Sequence, residues 1–431
     1  MDPVYSTGHA NEPITLIHEG PLAITQGGAT LDLEGSVRLV WLPTPRVLVE
    51  AYAPDVFLDD LALQGGDATI CIGGVQADVC IVRLHGNRDH DRPFNLVPGV
   101  NIRCVVKDPL LLEGTPESRC AAVTFHIVNG PNYHGDSIGS LDARRSWTGR
   151  VRLEGGGWII TVDAPDNRDV LSDELGESGG YAITHFGEMK RSDSEPLTWS
   201  RAQDMLRAVT YFFSFARGGW ASAHLATGVS NDGRTAFRVV SPGEPSQWTA
   251  CNTWFFIPDA RHLKAIFPRF IELWRDPLWG NHLREAIEWY VECCRYRGTL
   301  DGAVVLAQAA LELLAWVTFV QQDPFLSKDA FDKLTACDKL KLLLTKIGVP
   351  QTIPQHVTLG NRGKQTWKDV GPFAFTEIRN AIVHPNRGSA GARDNTVAAW
   401  QLGCWYLDLA LLSLLGLPEP SKLQLLRARG W

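Results

Sequence analysis

The 431-residue sequence lacks the features of exported and membrane proteins. Its amino terminus, Met1 to Ser6, has neither the basic segment nor the apolar segment of a secretory signal. The most apolar late stretch, residues 402–417, contains Asp408 and is shorter than the roughly 20 residues that a membrane-spanning helix needs. We therefore expect a cytoplasmic protein with no membrane segment.

Other absences exclude further classes of protein. The nine cysteines are odd in number and include no C-x-x-C pair, which is typical of a reduced protein rather than a disulfide framework. A P-loop and a dinucleotide fingerprint are also missing from the sequence. With 41 Lys+Arg against 48 Asp+Glu, the net charge of −7 argues against a strongly basic nucleic-acid coat protein.

What the sequence does contain is ordinary for a folded protein, with 45% apolar and 21% charged residues. Its length predicts two or three domains. The charge is divided unevenly, because residues 1–200 carry a net charge of −13 and residues 201–431 a net charge of +6. This asymmetry favours an anionic partner for the second half of the chain.

Short segments that alternate between apolar and polar residues fill the first half of the chain, separated by Gly, Pro, Asn and Asp. Examples span residues 36–42, 46–51, 78–82, 122–127 and 157–162. This spacing predicts an antiparallel sandwich or barrel. We accordingly expect a β-rich sensing or regulatory domain over residues 1–199. A bridging segment over residues 200–255 would begin with a helix capped by Ser200.

From about residue 256 the apolar periodicity becomes helical. Helices are predicted over residues 281–297, 300–320, 328–347, 372–384 and 395–416, with a polar loop over residues 350–370. The predicted fold class is therefore α+β and multidomain. A β-rich, sandwich- or barrel-like domain comes first, and an α-helical bundle over residues 256–431 follows it.

The segment with the clearest chemistry is the hexapeptide RNAIVH, from Arg379 to His384, which Pro385 follows. Asn380 and His384 are four positions apart, so on a regular helix their side chains would lie on one side. Pro385 lacks a backbone N–H and clashes with the carbonyl of Ala381, so the helix must kink or end there. The segment predicts an imidazole, an amide and a guanidinium at a disrupted helix end.

This hexapeptide resembles the hallmark of the HEPN superfamily, in which an arginine, a polar residue and a short spacer precede a histidine. The flanking helices agree, because residues 306–314 resemble the family's second helix and residues 338–343 its third. The layout is most similar to the ApeA-type HEPN proteins of bacterial anti-phage defence, which place a β-rich region before the bundle. The resemblance to the bundle covers residues 260–415.

The resemblance implies an endoribonuclease that needs neither a metal nor a cofactor and leaves 2′,3′-cyclic phosphate ends. His384 would be the general acid or base, Arg379 would bind the phosphate, and Asn380 would orient His384 or bind the phosphate. A homodimer or higher homo-oligomer is implied, since two copies of the motif usually meet in this family. Abortive-infection defence with a phage-derived trigger is the implied role.

Further residues could serve such a site. Glu312 lies on an otherwise apolar helix, where it could pair with Arg379 or with a backbone amide and support the site. Residues 328–393 carry a net charge of +6, which favours an RNA backbone, with tRNA as a possible narrow substrate. The candidate RNA-binding residues in the flanking loops are Arg362, Lys364, Lys368, Arg387 and Arg393.

Several alternatives stay open at this point. The bundle could be a non-catalytic binding or dimerisation scaffold, or the β-rich region could bind a carbohydrate or another ligand while the motif is inert. Residues 85–91 resemble a metal-ligand cluster but are equally typical of a polar turn, and His126 and His134 present the same choice. The aromatic run over residues 212–220 could stack bases or form a buried core.

Overall fold

A computed structural model describes residues 3–5, 8–60, 62–88, 96–107, 109–139, 146–241, 243–251, 253–255, 258–295, 299–354, 357, 367, 369–384 and 393–417. The chain is an α+β protein whose amino-terminal region is β-rich and whose carboxy-terminal region is helical, as the sequence predicted. It divides into two compact units, each built from three separate segments. The first unit comprises Met1–Asn129, Trp158–Arg207 and Ser222–Trp248, and the second Gly130–Gly157, Ala208–Ala221 and Thr249–Trp431.

The first unit begins with a closed antiparallel barrel in the order β1-β2-β3-β6-β5-β4. Its strands are β1 (Ile14–Gln26), β2 (Ala29–Val40), β3 (Arg46–Ala53), β4 (Gly66–Ile72), β5 (Val75–Arg88) and β6 (Leu96–Val106). Strand alternation turns Ile24, Val49 and Ile70 into the barrel, where all three are fully buried. Of the two predicted architectures, these six strands form the barrel.

A second sheet of the first unit has the strand order β7-β14-β13-β8-β12-β11. Its strands are β7 (Leu110–Glu113), β8 (Ala122–Val128), β11 (Trp158–Asp163), β12 (Ile183–Arg191), β13 (Ser222–Val229) and β14 (Thr235–Val240), with helix α1 (Arg168–Ser178) between β11 and β12. β13 pairs with β8 and β14 with β7, both antiparallel. Within the predicted bridge over residues 200–255, β13 and β14 are strands of this sheet.

Three histidines are buried in the first unit: His126 on β8, His185 on β12 and His224 on β13. His126 and His224 are direct cross-strand neighbours. The Nε2 atom of His126 accepts a hydrogen bond from the backbone N–H of Tyr5 at 3.1 Å. Burial lowers the pKa of His126 to about 4 and the pKa of His185 and His224 to about 3. All three rings are therefore neutral at neutral pH.

The second unit contains the strand pair β9 (Asp136–Gly139) and β10 (Ser146–Gly155) together with the second half of helix α2 (Trp199–Arg217). The aromatic run on α2 is core. Phe212 is fully buried, and its ring lies 5.1 Å from the rings of Phe267 and Phe270 on helix α3 (Ala260–Arg275). The base-stacking alternative is therefore wrong for the phenylalanines of this run, because their faces are already covered.

The remaining helices of the second unit are α4 (Trp279–Arg295), α5 (Leu300–Trp316), α6 (Lys328–Asp332), α7 (Ala336–Lys346), α8 (Gly371–Val383) and α9 (Thr396–Leu414). A π-helical turn, Val317–Gln322, extends α5. The single helix predicted over residues 328–347 is two helices, because the Thr335 hydroxyl accepts from the N–H of Asp338 and starts a new one. Segments Gly130–Gly157 and Ala208–Ala221 also belong to this unit.

Two helical segments among the described residues are long and apolar enough to cross a membrane, namely Leu300–Gln322 and Arg393–Leu414. Within the structure, 56% and 78% of their apolar windows are buried. Asp408, in the middle of α9, is fully buried as well. Buried apolar helices of this kind are typical of the core of a helical bundle.

Candidate functional site

Helix α8 positions the RNAIVH hexapeptide at its carboxyl end. The helix ends at Val383, and His384 has φ −125° and ψ 84°, outside the helical region. The backbone N–H of His384 still donates to the carbonyl of Asn380 at 2.7 Å. The predicted helix end before Pro385 is confirmed. Because His384 is not helical, its side chain does not follow the regular spacing that would align it with Asn380.

One face of α8 is buried in the second unit, and the motif residues lie at its border. Phe375, Ile378 and Ala381 are buried. Arg379 and Asn380 are half-buried, whereas His384 is exposed. The cluster therefore combines a partly desolvated guanidinium and amide with an imidazole that solvent can reach. This is a suitable arrangement for binding a substrate phosphate and exchanging a proton.

The guanidinium of Arg379 is held by its sequence neighbour. Its Nη1 donates to the Oδ1 atom of Asn380 at 3.3 Å. Its Nε is buried and has no hydrogen-bond partner among the described residues. Arg379 therefore keeps donor capacity for an anionic group, since a buried N–H without a partner is unfavourable.

The side chain of Asn380 is hydrogen-bonded to Arg379, and within the described part of the chain no hydrogen bond joins it to the side chain of His384. The sequence left open whether Asn380 orients His384 or binds the phosphate. The structure shows a third role, in which the amide oxygen orients the guanidinium. The two N–H donors of the Asn380 amide remain available for a phosphate oxygen.

Glu312 on α5 has a different partner from those predicted. It accepts a hydrogen bond from Nε2 of Gln308 at 2.7 Å and one from Nζ of Lys339 at 3.2 Å. Across the described residues, no hydrogen bond or ion pair joins Glu312 to Arg379. The ammonium of Lys339 also lies 4.7 Å from the ring centroid of Phe331. Glu312 thus joins α5 to α7, and the expected support of Arg379 is corrected to a structural ion pair.

We expect a Glu312→Ala protein to lose about 1–3 kcal/mol of unfolding free energy, because it leaves the 15%-exposed Lys339 side chain without its carboxylate. Urea unfolding at neutral pH measures the loss. The exposed pair of Asp323 and Lys346 provides the control, since Asp323→Ala should change stability by less than about 1 kcal/mol. Equal effects of the two substitutions would contradict the structural role of Glu312.

Of the five predicted RNA-binding residues, the structure describes Arg393. It begins a short 3-10 turn, Arg393–Asn395, before α9. Its Nη2 lies 3.4 Å from Oδ2 of Asp301, and the arginine side chain is 60% exposed. Arg362, Lys364, Lys368 and Arg387 lie outside the described residues. Their part in RNA binding stays a prediction.

The predicted metal-ligand candidates do not come together in the parts of the chain with described coordinates. No group of three or more His, Cys, Asp or Glu side chains there could hold a metal ion. His85 is exposed on β5, and residues 89–91 lie outside the described residues. His126 is buried and hydrogen-bonded, whereas His134 is exposed. His85 therefore lies in a strand and not in the predicted polar turn, and the structural interpretation fits His126.

Residues 135–139, with the sequence GDSIG, fit the spacing of a serine-hydrolase nucleophile. In those enzymes the serine occupies a sharp turn between a strand and a helix. Ser137 instead lies within β9, where it pairs with Thr148 of β10. The pentapeptide therefore does not form a nucleophile elbow, and the Arg379–His384 cluster remains the candidate site.

The fold and the site define a class: an α+β protein in which a β-barrel and an antiparallel sheet precede a helical bundle that carries an Arg-Asn-His cluster. Residues 276–419 match the YopA C-terminal domain family, and residues 115–251 match the YopA central domain family. The chain is similar to the SPbeta prophage-derived uncharacterized protein YopA of Bacillus subtilis (strain 168). The two are 28% identical over 417 residues, which is 94% of this chain and 90% of that protein. No solved structure matches the chain.

The two matches fall on separate parts of the structure. The carboxy-terminal match contains α4 to α9 and therefore the whole Arg379–His384 cluster. The central match begins just after β7 and continues past residue 199 through β13 and β14. The central match therefore extends across the predicted domain boundary at residue 199.

Proposed function

We propose that the chain is a HEPN-type endoribonuclease that cleaves RNA without a metal ion. The observation that carries the proposal is the cluster at the end of α8, where Asn380 holds the Arg379 guanidinium and His384 is exposed beside the helix end. These groups match the needs of RNA cleavage, because RNA supplies its own nucleophile in the 2′-OH. The protein must bind the phosphate and move protons.

In the proposed reaction the 2′-oxygen attacks the adjacent phosphorus, and the bond from phosphorus to the 5′-oxygen breaks. An imidazole takes the proton of the 2′-OH, and a protonated group supplies the proton of the 5′-hydroxyl. The guanidinium of Arg379 binds the non-bridging oxygens and stabilises the charge that builds up on them. The products are a 2′,3′-cyclic phosphate and a 5′-hydroxyl.

A homodimer belongs to the proposal, because one His384 cannot accept and donate a proton at the same moment. Two copies of the motif side by side would supply both groups. The proposed substrate is RNA, with tRNA as a specific candidate, and the proposed role is abortive-infection defence with a phage-derived trigger. The relative's origin in the SPbeta prophage supports a phage context.

The test is cleavage of total RNA and of tRNA in EDTA by wild type, His384→Ala and Val383→Ala. Val383 is the exposed neighbour of His384 and provides a matched control for local changes at the helix end. We expect wild type and V383A to leave cyclic phosphate ends, and H384A to lose cleavage by at least about 100-fold. Cleavage by H384A at the rate of V383A would contradict the proposal.

A second candidate function is a non-catalytic dimerisation scaffold. One observation favours it: within the described residues, no hydrogen bond orients the His384 side chain, and the Asn380 oxygen is used by Arg379. A scaffold predicts that wild type and H384A leave RNA intact and assemble equally. Comparing the toxicity of the two proteins in cells during phage infection separates a scaffold from a nuclease that awaits an activator.

A further inference from the structure

The barrel of the first unit has a cleft of about 350 Å³ on its outer face. Residues of five strands, β1, β2, β3, β5 and β6, line it. The cleft lies within the range of volumes typical of small-molecule sites. It is independent of the Arg379–His384 cluster, which belongs to the second unit.

Glycines shape the floor of the cleft. Gly20 on β1 pairs with Gly35 on β2, next to an irregularity of β1 between Ile17 and Gly20. A Cβ atom at Gly35 would overlap the carbonyl of Glu50 and the Cα of Ala51 on β3. The lack of a side chain lets β2 approach β3 closely at this point.

Two rows of outward-facing side chains border this floor, as the strand register requires. One row runs through Ser36, Glu50, Arg103 and Arg83, and the other through Glu34, Tyr52, Asn101 and His85. All eight residues line the cleft. The first row carries two arginines and one carboxylate. The second carries a carboxylate, an aromatic ring, an amide and an imidazole.

The two arginines of the first row are direct cross-strand partners, Arg83 on β5 and Arg103 on β6. Like charges in this position destabilise a sheet. Glu50 does not balance them, because it already pairs with both Arg38 and Arg103. Arg83 is exposed and forms no ion pair with a described residue. An anionic group between Arg83 and Arg103 would relieve the repulsion.

The second row is held in place by hydrogen bonds. Nδ2 of Asn101 donates to Oδ1 of Asn87 at 2.8 Å, and Nδ2 of Asn87 donates to the Tyr52 hydroxyl at 3.3 Å. Tyr52 and Asn101 are both half-buried. A fixed aromatic ring and amide suit the heterocycle or the hydroxyl groups of an organic ligand.

We propose that this cleft binds a small organic phosphate. The phosphate would lie between Arg83 and Arg103, and the organic part against Tyr52 and Asn101. The positive charge is confined to the first row, because Glu19 and Glu34 also line the cleft and residues 1–200 carry a net charge of −13. One planar guanidinium group binds two phosphate oxygens at once. Two neighbouring arginines at this point of the sheet therefore suit a phosphate. A nucleotide and a sugar phosphate share this chemistry.

Isothermal titration calorimetry on the full chain tests the proposal. The probes are adenosine monophosphate, glucose 6-phosphate, adenosine, glucose and inorganic phosphate, with wild type, Arg83→Gln and Lys107→Gln. Lys107 follows β6, pairs with Asp67 and does not line the cleft, so it controls for loss of one positive charge. We expect one organic phosphate to bind wild type and K107Q, and to bind R83Q at least about tenfold more weakly.

A second readout separates a binding site from a structural ion pair. Without ligand, R83Q should melt at the same temperature as wild type or higher, because the repulsion between Arg83 and Arg103 is removed. The inference would be overturned by equal binding of the organic phosphate to R83Q and K107Q, or by no binding to wild type. An affinity for inorganic phosphate equal to that for the organic phosphate would overturn it as well. So would a melting temperature of ligand-free R83Q below that of wild type.

Discussion

Acidification from about pH 7.5 to about pH 5 should lower the unfolding free energy by about 2 kcal/mol for each of the three buried histidines. His126, His185 and His224 are all less than 5% exposed. Three such losses are comparable with the whole stability of an ordinary domain. Urea unfolding followed by circular dichroism at a series of pH values measures the effect.

The sign of this effect follows from the direction of the pKa shifts. Burial lowers the pKa of all three rings, the Arg168 charge adds to the shift of His185, and His126 adds to that of His224. In the unfolded chain the three histidines take up protons below about pH 6.5, their ordinary pKa. In the folded protein they take up protons only near their lowered pKa values, about 4 for His126 and about 3 for His185 and His224. The contribution of these histidines to the unfolding free energy is therefore fully present above about pH 6.5 and is lost as the pH falls towards their folded pKa values.

A His224→Phe protein provides the matched control. Nε2 of His224 is buried without a hydrogen-bond partner among the described residues, and its Nδ1 lies 3.3 Å from Oγ of Ser222. A phenylalanine ring, which cannot take up a proton, therefore replaces it with the loss of this one long hydrogen bond. The dependence of unfolding free energy on pH between 7 and 5 should decrease by about one third. The same pH dependence in wild type and H224F would show that this ring is not buried in its neutral form.

An Arg379→Lys protein should cleave RNA at least about 100-fold more slowly than wild type, although its charge is unchanged. A lysine ammonium is a point charge and lacks the planar fork of donors with which a guanidinium binds two phosphate oxygens side by side. The buried Nε of Arg379 also has no equivalent in lysine. The measurement is the single-turnover rate of formation of cyclic phosphate ends, with circular dichroism as the check on folding.

Arg269→Lys is the control for this substitution. Arg269 on α3 is exposed and pairs with Glu272 on the same helix, so a lysine can replace it. We expect R269K to cleave within a few-fold of the wild-type rate. An R379K protein that cleaves as fast as R269K would show that Arg379 contributes only its charge, and the proposed contact with the phosphate would then be wrong.

The fold could be predicted where the pattern is local. Alternation identified the strands over residues 46–51 and 122–127, and helical periodicity identified α4, α5 and α9. The place of β14 in the second sheet could not be predicted, because β14 pairs with β7, more than a hundred positions earlier. Pairing over such a distance depends on topology, and a short apolar run does not reveal its partner.

The site likewise combines features that depend on neighbouring residues with features that depend on distant ones. Pro385 and the hexapeptide predicted the end of α8, because a proline acts on its immediate neighbours. The partner of Glu312 could not be predicted, since Lys339 lies on another helix. The cross-strand contact between Arg83 and Arg103 depends on the irregularities of β5, which shift the register by a residue. Sequence spacing alone does not determine that shift.

Because each unit consists of three separate segments of the chain, neither unit can be complete until the ribosome has synthesised its last segment. The first unit needs Ser222–Trp248, so it cannot complete its sheet until β14 has left the exit tunnel. By then Gly130–Gly157 and Ala208–Ala221 have emerged without the helices that complete the second unit. A nascent chain that stalls at residue 199 therefore lacks segments of both units. Helix α8, which ends just before His384, emerges after β14, so the proposed ribonuclease site forms only after the barrel and sheet can be complete.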